Sequence, residues 1–379
     1  MHLIESRRHT HSDRLERWLG AEAVRKVSLA MKDWYGPPIA VQGVPGAVYA
    51  AKGGDFVGLI EAGYEMSAFD RADGIVKRET RLARARLARR SYGRYQVGAF
   101  SSLSDLIAEG TAGKRRDWHW QKAGATGVAG VTNSLWGLGN QPAAGANAAN
   151  APGGEAPTDA TTGAMLLDNV STDTRHIVSG YVSCEDAGNT LLLYDRIFQV
   201  NKTINSTTNE SVTGVPTRYQ SSTPSAADYA GGNFLFIEVG GTALAATAHN
   251  WNALYRDDTG TDAQTLPTVT GNSAAIVRRL DQPAQTWFCP LATGDIGIMD
   301  LNEIDCSALV ATGVINFVIG HVIAWMPCAI ANLTVLHDFI GTAYNLTRIF
   351  DDAALAFLEV MKPSTSATTY NAGITVVQG

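Results

Sequence analysis

From about residue 161 onward, short apolar runs recur between turn signals, and this pattern constrains the fold more than any other feature. Gly, Asp, Asn and Pro separate the runs, and Val, Ile and aromatic residues dominate them. Many short strands with little helix between them favour packed antiparallel sheets over a doubly wound sheet. The sequence therefore predicts a mainly β fold, an antiparallel β-sandwich or jelly roll. The predicted strands are HIVSGYVSC, TLLLYDRIFQV, NFLFIEV, HNWNALYR, TWFCPL, DIGIMDLNEIDC, GVINFVIGHVIAWM, AALAFLEVM and GITVVQG.

The most apolar run, residues 313–329, tests whether the chain crosses a membrane. It has 17 residues, the lower limit for a spanning helix, and it contains Asn316, His321 and Pro327. Val and Ile dominate it, which is typical of buried strands. We therefore expect one central strand, or two strands that turn near Gly320, and no membrane partner.

Charge divides the chain into a basic front and an acidic back. Residues 1–122 carry 21 Lys and Arg against 14 Asp and Glu, whereas residues 123–379 carry 9 against 22. No lysine lies between Lys202 and Lys362, so the back part is poorly suited to bind phosphate chains. The two parts are expected to attract each other, within one subunit or between subunits.

We predict three regions: a basic N-terminal helical and extended module over 1–122, a strap rich in Gly, Ala, Asn and Pro over 123–164, and a β-sandwich over 165–379. The module has a predicted helix at 11–33 and a short one from Ser102 to Glu109, whose first turn has a capping pattern. Residues 137–164 contain few large apolar side chains, so we expect adjacent subunits to hold them in place.

The most basic segment, residues 77–94, is the candidate contact site for a neighbouring subunit or for nucleic acid. It could face bound nucleic acid, pair with an acidic surface of an adjacent subunit, or form a solvated helix face. The candidate residues are Lys77, Arg78, Arg81, Arg84, Arg86, Arg89, Arg90 and Arg94. A second cluster, RRDWHW at 115–120, mixes cations with aromatics, as single-strand nucleic-acid surfaces and protein interfaces both do.

A search for catalytic patterns predicts that the chain is not an enzyme and uses no cofactor. It has no G-x-S-x-G elbow, P-loop, G-x-G-x-x-G loop after a strand, or H-E-x-x-H helix. His9, His11 and Asp13 are interpreted as an exposed N-terminus, so no metal site is predicted. His321 is expected to be a core histidine bonded to a backbone carbonyl or a neighbouring side chain.

The remaining chemically active side chains have ordinary structural interpretations. His249 could pair with Asp257 or Asp258, although nothing in the spacing requires it. The four cysteines are far apart in the sequence, without a C-x-x-C motif, and are predicted to be small buried residues, with a disulfide among them left open. They are Cys184, Cys289, Cys306 and Cys328.

The part from Phe100 to Gly379 resembles structural proteins of tailed-bacteriophage virions in the order and spacing of its strand and turn pieces. The resemblance implies a non-enzymatic particle component, built as a jelly-roll-like sandwich and assembled in many copies. It implies as partners copies of this chain and other virion proteins. The pieces are FSSLSDLIAEGTAGK (100–114), VTNSLWGLGNQPAAG (131–145), GNTLLLYDRIF (188–198), GNFLFIEVG (232–240), PLATGDIGI (290–298), CSALVATGVINFVIGHVIAWMP (306–327) and RIFDDAALAFLEV (348–360).

Among virion roles, the sequence favours a capsid decoration or cement protein, because no long spine helix is predicted after residue 110. The alternatives are a major capsid protein of the shell lattice and a tail, baseplate or fibre component. A glycan-binding or hydrolytic β-sandwich is the alternative from another class, and Trp251, Tyr255, Asp257 and Asp258 are its candidate group. The chain start supports neither a signal nor a transit peptide, so we expect synthesis in the host cytoplasm and a final location in the virion.

Overall fold

The structure, a computed structural model, describes residue 100 and residues 102–168, 170, 173–202, 207–310, 313–342 and 347–379. The predicted helix at 11–33 lies outside the described residues, and so does the rest of the N-terminal module up to residue 99. The predicted division at residues 122 and 164 stays a prediction.

Two short helices and a set of strands make up the described chain. Helix α1 is Leu103–Glu109, followed by a π-helical turn, Gly110–Lys114, and helix α2 is Phe339–Thr342. The strands are β1 Arg115–Ala123, β2 Val131–Ser134, β3 Asn140–Gln141, β4 Arg175–Cys184, β5 Asn189–Lys202, β6 Glu210–Ser211, β7 Asn233–Val239, β8 Asn250–Asp257, β9 Gln264–Thr265, β10 Val269–Thr270, β11 Ile298–Cys306, β12 Ile315–Cys328, β13 Val335–Asp338, β14 Leu355–Lys362 and β15 Thr369–Gln378.

These strands form three sheets in which every pairing is antiparallel. The central sheet has the order β2-β14-β5-β12-β7. The first flanking sheet has the order β13-β4-β15-β1-β3, and the second has the order β10-β8-β11-β6, with β9 paired to β8. The predicted antiparallel β-sandwich is confirmed.

Both flanking sheets pack on the same face of the central sheet, because its two longest strands, β5 and β12, extend past both. Leu191, Leu193 and Met326 belong to the core shared with the first flanking sheet. Phe198 and Phe317 belong to the core shared with the second. The opposite face of the central sheet is covered by loops that bring Trp136, Leu280 and Trp287 onto it.

A β-bulge lies on β5 where the two cores meet, and it keeps both ends of the strand facing inward. Ile319 pairs with Phe198 and the next residue, Gly320, pairs with Arg196, so Ile197 is the extra residue. If β5 continued without a bulge, strict alternation from Leu191 and Leu193 would turn Phe198 to the other face. A second irregularity, between Val322 and Ala324, does the same on β12.

Most predicted elements are present. The run at 313–329 is one central strand, β12, and its neighbours β5 and β7 were both predicted. Helix α1 begins after Ser102, whose hydroxyl oxygen accepts a hydrogen bond from the backbone N–H of Asp105 at 3.1 Å. The strand predicted at TWFCPL is wrong: residues 286–291 contain a bend at 287–288 and no strand, and the N–H of Cys289 donates a hydrogen bond to the carbonyl of Leu235 in β7.

Residues 137–164 are bound by other parts of their own chain, and their expected contact with adjacent subunits stays a prediction. The buried Nζ of Lys122 donates hydrogen bonds to the carbonyls of Leu138 and Pro142 at 2.8 and 2.9 Å. The indole N–H of Trp136 donates to Ala146, and Glu155 pairs by backbone hydrogen bonds with Gln199 of β5. Backbone hydrogen bonding to β5 and to a buried lysine thus replaces the missing apolar anchors.

Gly320 leaves space for two aromatic rings at the bulge, and we predict that Gly320→Ala destabilises the protein. An added Cβ would lie 2.7 Å from Cδ2 of Tyr194 and 2.9 Å from Cζ of Phe234. Overpacking of this kind costs about 1–3 kcal/mol of unfolding free energy. Urea denaturation measures the change, and Gly139→Ala is the control because its Cβ would meet no atom within 4 Å. Equal stabilities of the two variants would contradict the prediction.

Candidate functional site

A groove of about 620 Å³ lies on the outer face of the first flanking sheet. Strands β1, β15, β4 and β13 form its floor, and a second opening of about 400 Å³ continues it beneath α1. Exposed apolar side chains stand along it: Leu336 is 79% exposed and Ile107 60%. Polar groups converge on the floor from all four strands.

The floor is organised in rows that cross the sheet. In one row Gly373 of β15 lies between Tyr181 of β4 and His119 of β1. Because Gly373 has no Cβ, Nδ1 of His119 reaches the hydroxyl of Tyr181 at 3.0 Å across it. In the next row Thr375 donates a hydrogen bond to Asp117 at 2.5 Å.

The polar side chains of β1 that line the groove are bound by their neighbours: Asp117 by Arg115 and Thr375, and His119 by Tyr181. Burial alone would raise the pKa of Asp117, but hydrogen bonds from Arg115 and Thr375 outweigh it and hold the pKa below its ordinary value. Burial raises the pKa of Tyr181. The carboxylate of Asp117 therefore accepts hydrogen bonds from its neighbours and is not positioned as a general base. Nδ1 of His119 is hydrogen-bonded to the hydroxyl of Tyr181.

Strand alternation separates the predicted cation-aromatic cluster at 115–120. Arg115, Asp117 and His119 line the groove, whereas Trp118 and Trp120 lie in the core beneath the sheet. Buried indoles cannot stack on nucleic-acid bases, so the cluster lacks the aromatic platform that single-strand binding requires. The groove is a mixed polar and apolar surface.

The second concentration of polar groups is buried where the two cores meet. Arg218 donates to both carboxylate oxygens of Asp195, from Nε at 2.8 Å and from Nη2 at 2.7 Å. The backbone N–H of Ala354 also donates to Asp195, at 2.9 Å. Burial raises the pKa of Asp195 and outweighs the opposing effect of Arg218.

Two histidines inside the sandwich, the half-buried His321 and the buried His249, have pKa shifts in opposite directions. The ring of His321 stacks on Tyr219 at 3.7 Å, and its Nδ1 lies 2.7 Å from Oδ1 of Asn233, so the prediction of a bonded core histidine is confirmed. Burial lowers the pKa of His321 to about 4. His249 faces two acceptors, Asp281 and the carbonyl of Thr247. Burial lowers its pKa, but these hydrogen bonds outweigh the burial and the pKa is raised.

The candidate pairing of His249 with Asp257 or Asp258 is wrong. His249 pairs with Asp281 at 2.7 Å, and the indole N–H of Trp251 donates to the same carboxylate oxygen at 2.7 Å. Oδ1 of Asp257 accepts from the N–H groups of Thr259 and Thr261 in a turn. Each candidate carboxylate therefore has a structural partner.

The candidate glycan group does not form a cleft. Trp251 and Tyr255 are fully buried in the core of the second flanking sheet. Asp258 accepts a hydrogen bond from the hydroxyl of Tyr229 at 2.9 Å. Without an exposed ring, this group offers no surface on which a sugar could stack.

The remaining sequence candidates are the four cysteines and the charged residues near the N-terminus. All four cysteines are buried, as predicted, and all four are free thiols. The eight basic residues of 77–94 lie outside the described residues, as do His9, His11 and Asp13. Within the described part of the chain, no three His, Cys, Asp or Glu side chains are arranged to hold a metal ion, and no helix there has the length and apolar character to cross a membrane.

Comparison with known proteins gives weak likenesses. No protein-family model matches the chain, and no curated protein matches it. The structure of infectious bursal disease virus Gt strain matches at 7% identity over 70% of this chain and 81% of that chain, with a TM-score of 0.15. The crystal structure of the infectious bursal disease virus VP2 subviral particle matches at 9% identity over the same shares, with a TM-score of 0.16. Such TM-scores show neither a shared fold nor a shared role.

Sequence reasoning missed the groove and the ion pair of Asp195 with Arg218. The alternation in RRDWHWQKA was an available signal, because Trp118, Trp120 and Lys122 share one face and Arg115, Asp117 and His119 the other. No sequence signal brings Arg218, which lies in a loop, to Asp195 in a buried strand.

We predict that Arg218→Met lowers the free energy of unfolding by about 3–5 kcal/mol, because it leaves Asp195 buried without its charged partner. Chemical denaturation measures the loss. Arg256→Met is the matched control: the Arg256 side chain is 41% exposed in its ion pairs, and such pairs contribute less than about 1 kcal/mol. Similar losses in the two variants would contradict this account.

We predict that His321 makes the protein less stable as the pH falls from 6.5 to 4. The unfolded chain binds a proton over this range and the folded chain does not, so the free energy of unfolding falls by at most about 3 kcal/mol. Denaturation at several pH values tests whether His321→Gln removes this loss. His249→Gln is the control and should keep it, since the raised pKa of His249 gives a contribution that disappears as the pH rises. A loss unchanged in His321→Gln would refute the assignment.

Proposed function

We propose that this chain is a non-enzymatic structural protein of a virus particle that assembles in many copies. The proposal rests on where the ionisable and the apolar side chains of the described chain lie. Several of its buried ionisable side chains form ion pairs with one another, and the groove on the first flanking sheet is bordered by exposed apolar residues. A scaffold with a contact face explains both features.

The buried groups support a scaffold rather than a catalyst. Asp195 and Arg218, His249 and Asp281, and Glu359 and Lys362 are pairs with little or no exposed side chain. The thiols are equally unsuited to attack a substrate, since burial raises the pKa of Cys184 to about 12 and that of Cys289 further. Thiols that remain protonated are poor nucleophiles.

The exposed groups support a contact face on the first flanking sheet. Leu103 is 56% exposed beside Ile107 on α1, and Leu336 stands across the groove on β13. Apolar residues bordered by Arg115, Asp117 and Asp338 resemble the apolar centre and polar rim of a protein interface. The occupant we propose is an adjacent copy of this chain.

Sheet edges in the described chain give a second reason to place the contact on a face. The edge strands of the two flanking sheets, β13, β3, β10 and β6, have two to four residues each. The longer edge of the central sheet, β7, is covered, because its backbone forms hydrogen bonds with residues of the loop at 279–289. Short edges are poor templates for adding a strand from another chain. Assembly through side chains on a sheet face is therefore the better explanation.

Within the virion, we propose a capsid decoration or cement protein of a tailed phage. The support is the sequence resemblance over residues 100–379 and the sandwich architecture. The basic segment would pair with an acidic surface of a neighbouring subunit, because residues 123–379 carry 22 acidic against 9 basic residues. Contact with packaged nucleic acid is the second use of that segment.

Light scattering on the full chain, in low and high salt, tests self-assembly, and sedimentation with empty shells tests the decoration role.

We predict that Leu336→Glu combined with Ile107→Glu weakens self-association at least about tenfold, as a loss of 1.4 kcal/mol would. Leu166→Glu is the control, because Leu166 is 73% exposed outside the groove. A double variant that assembles like the unmodified chain would contradict the contact face, and a monomer at every salt concentration would contradict assembly itself.

A further inference from the structure

Two thiols from different sheets meet at the end of the first core. Cys184 is the last residue of β4 in the first flanking sheet, and Cys328 is the last residue of β12 in the central sheet. Their Sγ atoms are 2.8 Å apart, and both residues are buried. Non-bonded carbon atoms rest about 3.5–4.0 Å apart, and sulfur is larger than carbon. The two thiols are therefore closer than an ordinary packing contact.

The backbone around the pair holds the two sulfur atoms together. The carbonyl of Cys184 accepts a hydrogen bond from the N–H of Asn332 at 2.8 Å, in the loop that follows Cys328. The carbonyl of Cys328 accepts one from the N–H of Gly188 at 2.9 Å, in the turn that follows Cys184. Each cysteine is thus tied to the loop that leaves the other, so the two strand ends cannot separate without breaking both hydrogen bonds.

The other two cysteines have different surroundings. Cys289 donates to the side chain of Gln282 at 3.5 Å, and Cys306 donates to the carbonyl of Ala308 at 3.2 Å. Both belong to the core of the second flanking sheet. They lie away from the Cys184 pair and provide an internal comparison.

We propose that Cys184 and Cys328 are a cross-linking site that closes into a disulfide between the central and first flanking sheets. The oxidant is a low-molecular-weight disulfide. The thiolate of one cysteine attacks it and releases one small thiol, which leaves a mixed disulfide on the protein. The second cysteine then attacks the mixed disulfide, forms the Sγ–Sγ bond and releases the second small thiol. The two protein thiols lose two electrons and two protons, and the small disulfide gains them.

The position of the site determines when the bond forms. Burial raises the pKa of Cys184 to about 12, and the attacking species in disulfide exchange is the thiolate. The reaction therefore proceeds when the two strand ends part, and it is slow in the closed protein. A cytoplasm keeps thiols reduced, whereas the outside of a cell allows disulfides. The bond would join residues 144 apart in the chain and restrict the unfolded state.

Thiol titration of the unfolded full chain tests the proposal. The protein is incubated folded with oxidised glutathione, unfolded after quenching, and titrated. We expect the number of free thiols to fall from four to two, with faster loss in mild denaturant, and proteolytic peptides to show Cys184 joined to Cys328. The double variant Cys289→Ala with Cys306→Ala is the control and should fall from two thiols to none.

The same experiment can overturn the proposal. Four thiols remaining after incubation in mild denaturant would show that the pair does not close. Linked peptides containing Cys289 or Cys306, or cross-linked dimers on a non-reducing gel, would show that the oxidised site is elsewhere. Peptide mapping of the unmodified chain needs no variant, so a failure of any variant to fold leaves the test intact.

Discussion

The buried ion pair of Asp195 with Arg218 is the interaction on which the sandwich depends, because it lies where the two cores meet. Asp195 faces inward from β5 beside the bulge. In the antiparallel ladder, His321 of β12 is the residue opposite Asp195. Arg218 also donates to the carbonyl of Pro157 at 2.9 Å and lies 3.4 Å from Asp352. The guanidinium of Arg218 thus connects Asp195 of the central sheet with Pro157 in the strap and with Asp352 in the loop before β14.

We infer that this ion pair contributes specificity more than net stability. Apolar replacements of a buried ion pair are often as stable as the pair itself, whereas an unpaired charge is strongly destabilising. Asp195 therefore excludes arrangements in which Arg218 is elsewhere. The hydrophobic pattern and the two bulges set the register of β5 and β12, and the polar groups at the junction add a penalty for any register that would separate Asp195 from Arg218. Under the proposed function, a fixed register would let every copy of the chain present the same contact face.

The sequence predicted the framework well and the junction poorly, for physical reasons. The apolar run NFLFIEV predicted β7 with its observed bounds, because a strand that is buried on both faces is apolar at almost every position. The strand RRDWHWQKA was overlooked because its outward charges hide the inward Trp118, Trp120 and Lys122. In contrast, TWFCPL has strand composition but packs Trp287 against Phe234 and Trp325 from a bend. The partner of Asp195 is 23 residues away in a loop, and no periodicity records such a contact.

We infer that the two cores behave as one cooperative unit, because β5 and β12 run through both and the ion pair of Asp195 with Arg218 lies between them. Native-state hydrogen exchange measures this directly, because amides exposed by the same opening share one opening free energy. The account predicts a single value for the slowest amides of β4 and β15 and for those of β8 and β11, equal to the free energy of global unfolding. A distinctly lower value for β8 and β11 would show that the second flanking sheet opens by itself, and would contradict the account.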